Sequence, residues 1–450
     1  MLDVTPRRFT AAARLGICAA LCALAACATK PPPAPATPAT AGQPVTEYEM
    51  DPIKIEAVKG PDGIHIESFD AAELFDAAGA ALSDKRYDDA IAAYDRLLKE
   101  FADSRYTKAA LYNVGLAYQG KKDWPSAVAR FKVLSDQYGE TPDAKDAQFQ
   151  MGASYAELEN WPASAQVFAL ILQRQDLTAD DKIEALGRRG FAQFKLKDLD
   201  TAERTFKSAV AYFEQIALQE RLETDFYLGL CKYHLGEIPH ERFRSAPLRL
   251  PEKQMRIDMD EKARLLLFAQ RMYIDAIKLG NPQWASASGY QVASLYEEFY
   301  DAFMHAPVPP ELLGAGAEVK REIYFEELRK DIRILLEKSL RWNEQNLLMM
   351  ERLGVQNEWR DKSKLAYAKL QRLLDPSTPI DAPADATAGA PAPAASPPPL
   401  PQPPGPRPDA VPDPAAPATP DKPAQEPEGD QPSGAPRPKP PAQGPVRQIL

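Results

Sequence analysis

The feature that most constrains this sequence is a pattern that recurs every 37 residues. Five residue identities return at that offset: Gly115, Tyr118, Trp124, Pro125 and Phe131 are followed by Gly152, Tyr155, Trp161, Pro162 and Phe168. Weaker copies lie before and after them, which makes four consecutive units. A fixed period of about 20 to 50 residues is typical of a repeat array, in which neighbouring units bury a shared core.

The residue types within a unit indicate a pair of packed helices. Gly115 and Gly152 are small residues at the place where two helices would touch closely, and Phe131 and Phe168 would fill the space between units. The periodicity is interrupted at Asp103-Ser104 and again around 139–142, where one helix pair should give way to the next. Each unit is therefore predicted to be a helical hairpin.

This pattern resembles the tetratricopeptide repeat, because Gly115, Tyr118, Ala127 and Phe131 match the family's small, aromatic, small and aromatic positions. The spacing is similar to an envelope subgroup of the family. That subgroup contains the lipoprotein of the outer-membrane barrel-assembly complex and the periplasmic coordinator associated with the Tol machinery. The resemblance implies an all-α fold, a right-handed α-solenoid of helical hairpins, that binds protein partners.

The family's partners bind on the concave surface formed by the first helix of each hairpin. On the family pattern, this surface would include six residues of two successive units, which are Tyr112, Asn113, Leu116, Gln119, Phe149 and Gln150. In chaperone-binding members, such positions carry lysine and arginine that hold a terminal carboxylate. They are mostly neutral here, so a more apolar or amide-rich ligand is expected.

The N-terminus has the form of an export signal. Three arginines precede an apolar run, 15–26, that is too short to span a bilayer, which needs roughly 20 apolar residues. The run ends in Leu24-Ala25-Ala26-Cys27, which looks like the lipobox of bacterial lipoprotein precursors. That resemblance implies cleavage before Cys27 and lipidation of its sulfur. No aspartate directly follows Cys27, which favours delivery of the protein to the periplasmic face of the outer membrane.

Proline content sets the domain boundaries, since most of the 44 prolines lie before residue 45 or after residue 375. Such segments are predicted to be extended or disordered. The predicted organisation is a signal peptide at 1–26, a lipid-anchored proline-rich tether at 27–65, tetratricopeptide repeats at 66–216, divergent helical hairpins with a cap at 217–375, and a disordered Pro/Ala-rich tail at 376–450.

The divergent half is predicted to contain a helix beginning at Phe226 and a loop around 239–251. Two long hairpins follow, at 261–305 and 318–374, which turn at Gly280 and Gly354. This half either continues the solenoid or forms a separate helical domain, and the sequence leaves both open.

Charge and cysteine content exclude several classes of function. A net charge of −10 is unlike the basic surface of nucleic-acid-binding proteins.

Outside the predicted signal and lipidation site only Cys231 remains, so no internal disulfide is expected. Cys231 and His234 would share a helix face, with Cys231 as a buried thiol and His234 beside it at the surface. Zinc needs more ligands at closer spacing, so neither a metal nor a cofactor is predicted.

No nucleophile elbow, phosphate-binding loop, dinucleotide fingerprint or zinc-protease motif is present. The adjacent acids Glu297-Glu298 and Glu326-Glu327 point in different directions on a helix and do not form a working pair. The sequence therefore predicts a non-enzymatic, lipid-anchored scaffold that binds proteins of a cell-envelope machine. A peptidoglycan-related enzyme activator and a ligand-binding lipoprotein are the alternatives.

Overall fold

The structure, a computed structural model, describes residues 52–60, 63–314 and 316–375. The predicted signal peptide, the lipidation site Cys27, most of the tether and the Pro/Ala-rich tail lie outside these residues. The described part consists of thirteen α-helices preceded by a two-stranded antiparallel hairpin.

The strands are β1 (Lys54–Gly60) and β2 (Gly63–Phe69). The helices are α1 (Ala71–Ser83), α2 (Tyr87–Glu100), α3 (Thr107–Gly120), α4 (Trp124–Gln137), α5 (Pro142–Glu157), α6 (Trp161–Ile171), α7 (Ala179–Lys195), α8 (Leu199–Ile216), α9 (Phe226–Ser245), α10 (Glu252–Leu279), α11 (Pro282–Met304), α12 (Glu318–Arg352) and α13 (Glu358–Leu374).

Helices α1 to α8 form the four predicted hairpins, each packed on the next. The first helices of the hairpins also contact one another, since α3 packs against both α1 and α5. Side chains at the helix starts favour these boundaries: Asp123, Asn160 and Asp198 each accept a hydrogen bond from a backbone N–H of the following first turn. The predicted array of helical hairpins is confirmed.

The later helices continue the inner layer of first helices. Helix α9 packs against both α7 and α11, and α11 packs against α13. The predicted turns at Gly280 and Gly354 are confirmed, and both glycines have left-handed backbones with φ of 85° and 65°.

The prediction of a loop around 239–251 is wrong for residues 239–245, because α9 continues to Ser245 and contains Pro239. Proline in a helix interior removes one backbone hydrogen bond. Burial outweighs that cost here, since Ile238 and His240 on either side of the proline are fully buried.

The hairpin β1–β2 was not predicted, since the sequence analysis placed 27–65 in the tether. Its strands pair in antiparallel register, with Ile55 opposite Ser68 and Ala57 opposite Ile66. The connecting residues are Gly60-Pro61-Asp62-Gly63, a common turn sequence between two short alternating runs. That turn signal was present in the sequence, but the pattern of two strands of this length is a weaker signal than the helical repeat.

The core of the described residues divides into three large hydrophobic clusters and a small one. One lies mainly in α1 to α3 and includes Tyr94, and a second runs from α3 to Ala185 at α7 and includes Phe131 and Phe168. The third and largest runs from Ile183 in α7 to Trp359 in α13. The first two clusters each serve neighbouring hairpins, whereas the third joins α7 to α11 with the start of α13. The small fourth cluster, Leu336, Leu370 and Leu374, packs α12 against α13.

The turns inside the four hairpins share an unusual backbone. Each places a residue with a side chain in the left-handed region: φ is 62° at Lys85, 61° at Lys122, 54° at Glu159 and 62° at Lys197. This conformation costs residues other than glycine about 1 to 2 kcal/mol. The repeat thus carries one strained position per hairpin.

We therefore expect Lys122→Gly to raise the free energy of unfolding by about 0.5 to 1 kcal/mol, because the relief of strain exceeds the extra entropy that glycine has in the unfolded chain. The matched control is Lys121→Gly, since Lys121 has a right-handed backbone with φ of −76° and should lose stability. Urea unfolding of both variants measures the difference. Equal losses in the two would contradict this interpretation.

Candidate protein-binding surface

One position of the inner helices repeats through three units, and it is occupied by Asn113, Gln150 and Arg188. Asn113 and Gln150 are each 1% exposed. Asn113 Nδ2 donates to the hydroxyl of Tyr94 at 3.1 Å, and Gln150 Nε2 donates to that of Tyr112 at 3.3 Å. These amides connect neighbouring helices and point into the core.

Arg188 occupies the same position in the next unit and is 5% exposed. Its guanidinium donates to the hydroxyl of Tyr227 on α9 and, through Nε, to Glu184 Oε1 at 2.7 Å. Burial opposes its charge, but Glu184 and Tyr227 outweigh this and raise the pKa of Arg188. A buried charge with both partners in place joins α7 to α9.

The structure separates the six residues predicted to bind a partner into two groups. Tyr112, Asn113 and Gln150 are buried, so their side chains have a packing role and offer a partner almost no surface. Leu116, Gln119 and Phe149 are half-buried on α3 and α5. Partner binding through these three stays a prediction.

The side-chain amide of Gln119 joins α3 to α5. Its Nε2 lies 2.9 Å from Ser154 Oγ and 3.2 Å from Gln150 Oε1. Leu116 and Phe149 therefore supply the apolar part of the accessible inner surface, on a backbone that Gln119 helps to hold in position.

Ion pairs connect the beginnings of the inner helices. Lys108 on α3 lies 3.5 Å from Asp143 on α5, and Lys145 on α5 lies 2.6 Å from Asp181 on α7. The second pair repeats the first about one unit later. Partly exposed pairs of this kind contribute little stability individually, but they fix the spacing of neighbouring inner helices.

The predicted close approach of helices at glycine is confirmed. A Cβ added at Gly115 would lie 2.5 Å from Phe131, one at Gly152 would lie 2.7 Å from Phe168, and the same arrangement recurs at Gly190. Phe131 and Phe168 are almost completely buried. The glycine and the aromatic residue thus form one packing unit that repeats with the array.

A polar cluster joins α9, α10 and α11. Glu298 accepts hydrogen bonds from His240 Nε2 at 3.1 Å and from Arg244 Nε at 2.8 Å. On the other side of His240, Nδ1 lies 3.1 Å from the Tyr273 hydroxyl, which donates to Glu237 at 2.5 Å. Sequence reasoning missed this cluster because it placed a loop across the second half of α9.

The electrostatic environment of this cluster favours an ionised Glu298. Burial opposes ionisation of Glu298, but the adjacent His240 ring and Arg244 guanidinium outweigh it and hold the pKa of this carboxyl well below its usual value. The neighbouring acid Glu297 pairs instead with Lys369 on α13. The two adjacent carboxylates thus bind different cations, as their helix positions predicted.

His234 is a correction to the sequence analysis, which expected it at the surface. It is fully buried within a cage of aromatic rings that includes Phe191, Phe194 and Phe206, with ring centroids 5.0 to 5.4 Å away. Neither ring nitrogen has a hydrogen-bonding partner. Burial, with a smaller contribution from Lys195, lowers the pKa of His234 to about 3.

This environment makes stability depend on pH. The unfolded chain binds a proton at His234 near pH 6.5 whereas the folded chain does not, so stability is lost as pH falls from about 6.5 toward 3. Between pH 7 and pH 5, His234 is expected to cost the wild type about 2 kcal/mol of its free energy of unfolding, and His234→Phe should lack this loss. Urea unfolding at both pH values measures this. Parallel losses in the two proteins would refute the assignment, because both share all carboxylates.

Within the described ranges, no group of three or more histidine, cysteine, aspartate or glutamate side chains is placed to bind a metal. Cys231 is a buried free cysteine, and burial raises its pKa far above the ordinary value. None of the described helices combines the length and apolar character needed to cross a bilayer.

Comparison with known proteins agrees with this architecture. The tetratricopeptide repeat family profile matches residues 69–104 and 109–141, which cover the first two helical hairpins. The chain therefore contains tetratricopeptide repeats, and its helical array has the fold of a protein-interaction scaffold. No curated protein sequence matches the chain.

Three solved structures are among those that are similar to this chain. A tetratricopeptide repeat protein from Parabacteroides merdae is 11% identical, with 67% of this chain and 98% of that chain covered and a TM-score of 0.32. The apo form of RapI is 11% identical, with 67% and 97% covered and a TM-score of 0.36. A repeat protein from Bacteroides fragilis is 12% identical, with 68% and 99% covered and a TM-score of 0.25.

Proposed function

We propose that this protein is a lipid-anchored scaffold on the periplasmic face of the outer membrane that binds proteins of a cell-envelope machine. The observation that carries the proposal is the combination of the sequence Leu24-Ala25-Ala26-Cys27 at the end of an apolar run with a tetratricopeptide array in the same chain. Outer-membrane assembly, a Tol-like machine and a trans-envelope motor are the machines that would use such a scaffold.

The partner-binding role is supported by the inner surface of the array. Leu116 and Phe149 present apolar side chains that are only half-buried, and hydrogen bonds and ion pairs hold the helices that carry them. A surface that is apolar and pre-formed binds an extended segment or a partner helix with little ordering cost.

The anchor is tested by Cys27→Ala in the producing cells. We expect the variant to leave the membrane fraction, because the lipid anchor is lost and the described part of the chain contains no helix able to span a membrane. Fractionation of the wild type and the variant, with an antibody to the array, measures the change. Unchanged membrane association with normal processing would refute lipidation at Cys27.

The scaffold role is tested by crosslinking in intact cells, followed by purification and mass spectrometry. We expect a defined set of envelope proteins with the wild type and at least fivefold lower recovery with Leu116→Ser/Phe149→Ser. The control is Leu170→Ser on α6, which removes an apolar side chain that is 51% exposed outside the inner layer. Equal recovery from all three proteins would exclude this surface as the binding site.

A further inference from the structure

The hairpin β1–β2 has two chemically different faces. One face is bound to α2: Lys54 lies 3.0 Å from Glu100, Glu56 lies 2.8 Å from Arg96, and the Arg96 guanidinium stacks 3.8 Å from the ring centroid of Phe69. These contacts orient the hairpin, so its other face, which we call the outer face, points away from α2.

The outer face is apolar and exposed. Strand alternation and register place Ile55, Ala57 and Ile66 on it, with Ile55 68% and Ile66 75% exposed, and Ile53 directly before β1 is 60% exposed. A cluster of exposed isoleucines is uncommon on a soluble protein and marks an interaction surface.

The outer face carries a positive charge. Its described ionisable residue is the exposed Lys59, whereas Glu56 lies at a register position of the opposite face and pairs with Arg96. In a chain of net charge −10, a surface that combines apolar side chains with a lysine is complementary to an anionic, amphipathic partner.

The size of the surface decides between the partners that could cover it. The exposed side chains form a patch of roughly a few hundred Å², and two such patches facing each other would bury much less than the ~1,200 Å² of a stable dimer. A lipid surface has no such threshold if the protein is already held there, because a second weak contact then acts at high effective concentration.

We propose that the outer face of the hairpin lies on the surface of a phospholipid bilayer containing anionic lipids. The proposal rests on the anchor of the proposed function, since the strands begin only 27 residues after Cys27 and precede all the helices. Ile55 and Ile66 insert among the upper acyl carbons and Lys59 contacts the headgroups. The hairpin thereby sets how the first unit of the array faces the membrane.

The test uses the full, acylated protein in vesicles of phosphatidylethanolamine and phosphatidylglycerol. An environment-sensitive fluorophore is attached at Ile66→Cys or, as the control, at Leu365→Cys on α13, which is 73% exposed. The remaining thiol, Cys231, is fully buried and will not react. Nitroxide-labelled lipid is expected to quench the label at position 66 at least threefold more than the label at 365, and Ile55→Glu is expected to abolish the difference.

The outcomes separate the two proposals. Flotation with the vesicles but equal quenching at both positions overturns the membrane contact and leaves the anchor intact. Failure to float overturns both. Concentration-dependent dimers of the wild type that Ile55→Glu disperses would show that the outer face meets a second copy, which also overturns the lipid assignment.

Discussion

Gly152→Ala is expected to lower the free energy of unfolding by about 2 to 3 kcal/mol, although alanine is the better helix former. The added Cβ would lie 2.7 Å from Phe168, which is 1% exposed and belongs to the buried cluster of α3 to α6. Overpacking of a closed core costs about 1 to 3 kcal/mol, which exceeds the gain of about 1 kcal/mol in helix propensity. Urea unfolding measures the balance.

The matched control is Gly79→Ala in α1. There the new Cβ would meet only the Tyr94 hydroxyl at 3.7 Å, an ordinary contact. The helix-propensity gain should therefore dominate, and stability should rise by up to about 1 kcal/mol. The double variant Gly152→Ala/Phe168→Leu should recover part of the loss, because it removes the clashing ring. Losses of equal size at Gly79 and Gly152 would disprove the packing argument.

Glu298→Ala is expected to lower the free energy of unfolding by about 3 kcal/mol, because it leaves the buried His240 and the largely buried Arg244 without their shared acceptor. The neighbouring variant Glu297→Ala should cost less than about 1 kcal/mol, since its partner Lys369 is 58% exposed. Denaturant titration of the two variants compares adjacent carboxylates on one helix.

The pH dependence of this effect has a definite sign. The pKa of Glu298 is lower in the folded chain than the ordinary value of 4.5, so its stabilisation is complete above that pH and is lost as pH falls below it. The stability difference between the wild type and Glu298→Ala should therefore narrow in acid. A constant difference from pH 7 to pH 3 would show that the carboxylate charge is not responsible.

The repeat region was predictable because each unit has to meet the same packing requirement. In the second, third and fourth hairpins a glycine faces an aromatic ring, so Gly115 with Phe131 and Gly152 with Phe168 recur at one spacing. The turns at Gly280 and Gly354 were predictable for a related reason, since their left-handed backbones favour glycine.

The candidate site was less predictable, because a polar residue on an inner helix can either contact a partner or form a hydrogen bond inside the core. The two cases look alike in sequence. Asn113 and Gln150 match positions that contact partners in related repeats, yet here each donates to a tyrosine inside the core. His234 and Pro239 were misplaced because local preference favours the surface and a helix end. The burial supplied by α7, α10 and α11 overrides those preferences.

The division of the core has a consequence for how the protein opens. Helices α1 to α6 depend on two smaller clusters that each serve neighbouring hairpins, whereas α7 to α11 share one continuous cluster that reaches Trp359 in α13. Arrays with nearest-neighbour cores unfold in parts. Amide hydrogen exchange should therefore be graded along α1 to α6 and uniformly slow from α7 to α11, which would let the first hairpins open and remodel around a partner while the central helices remain closed.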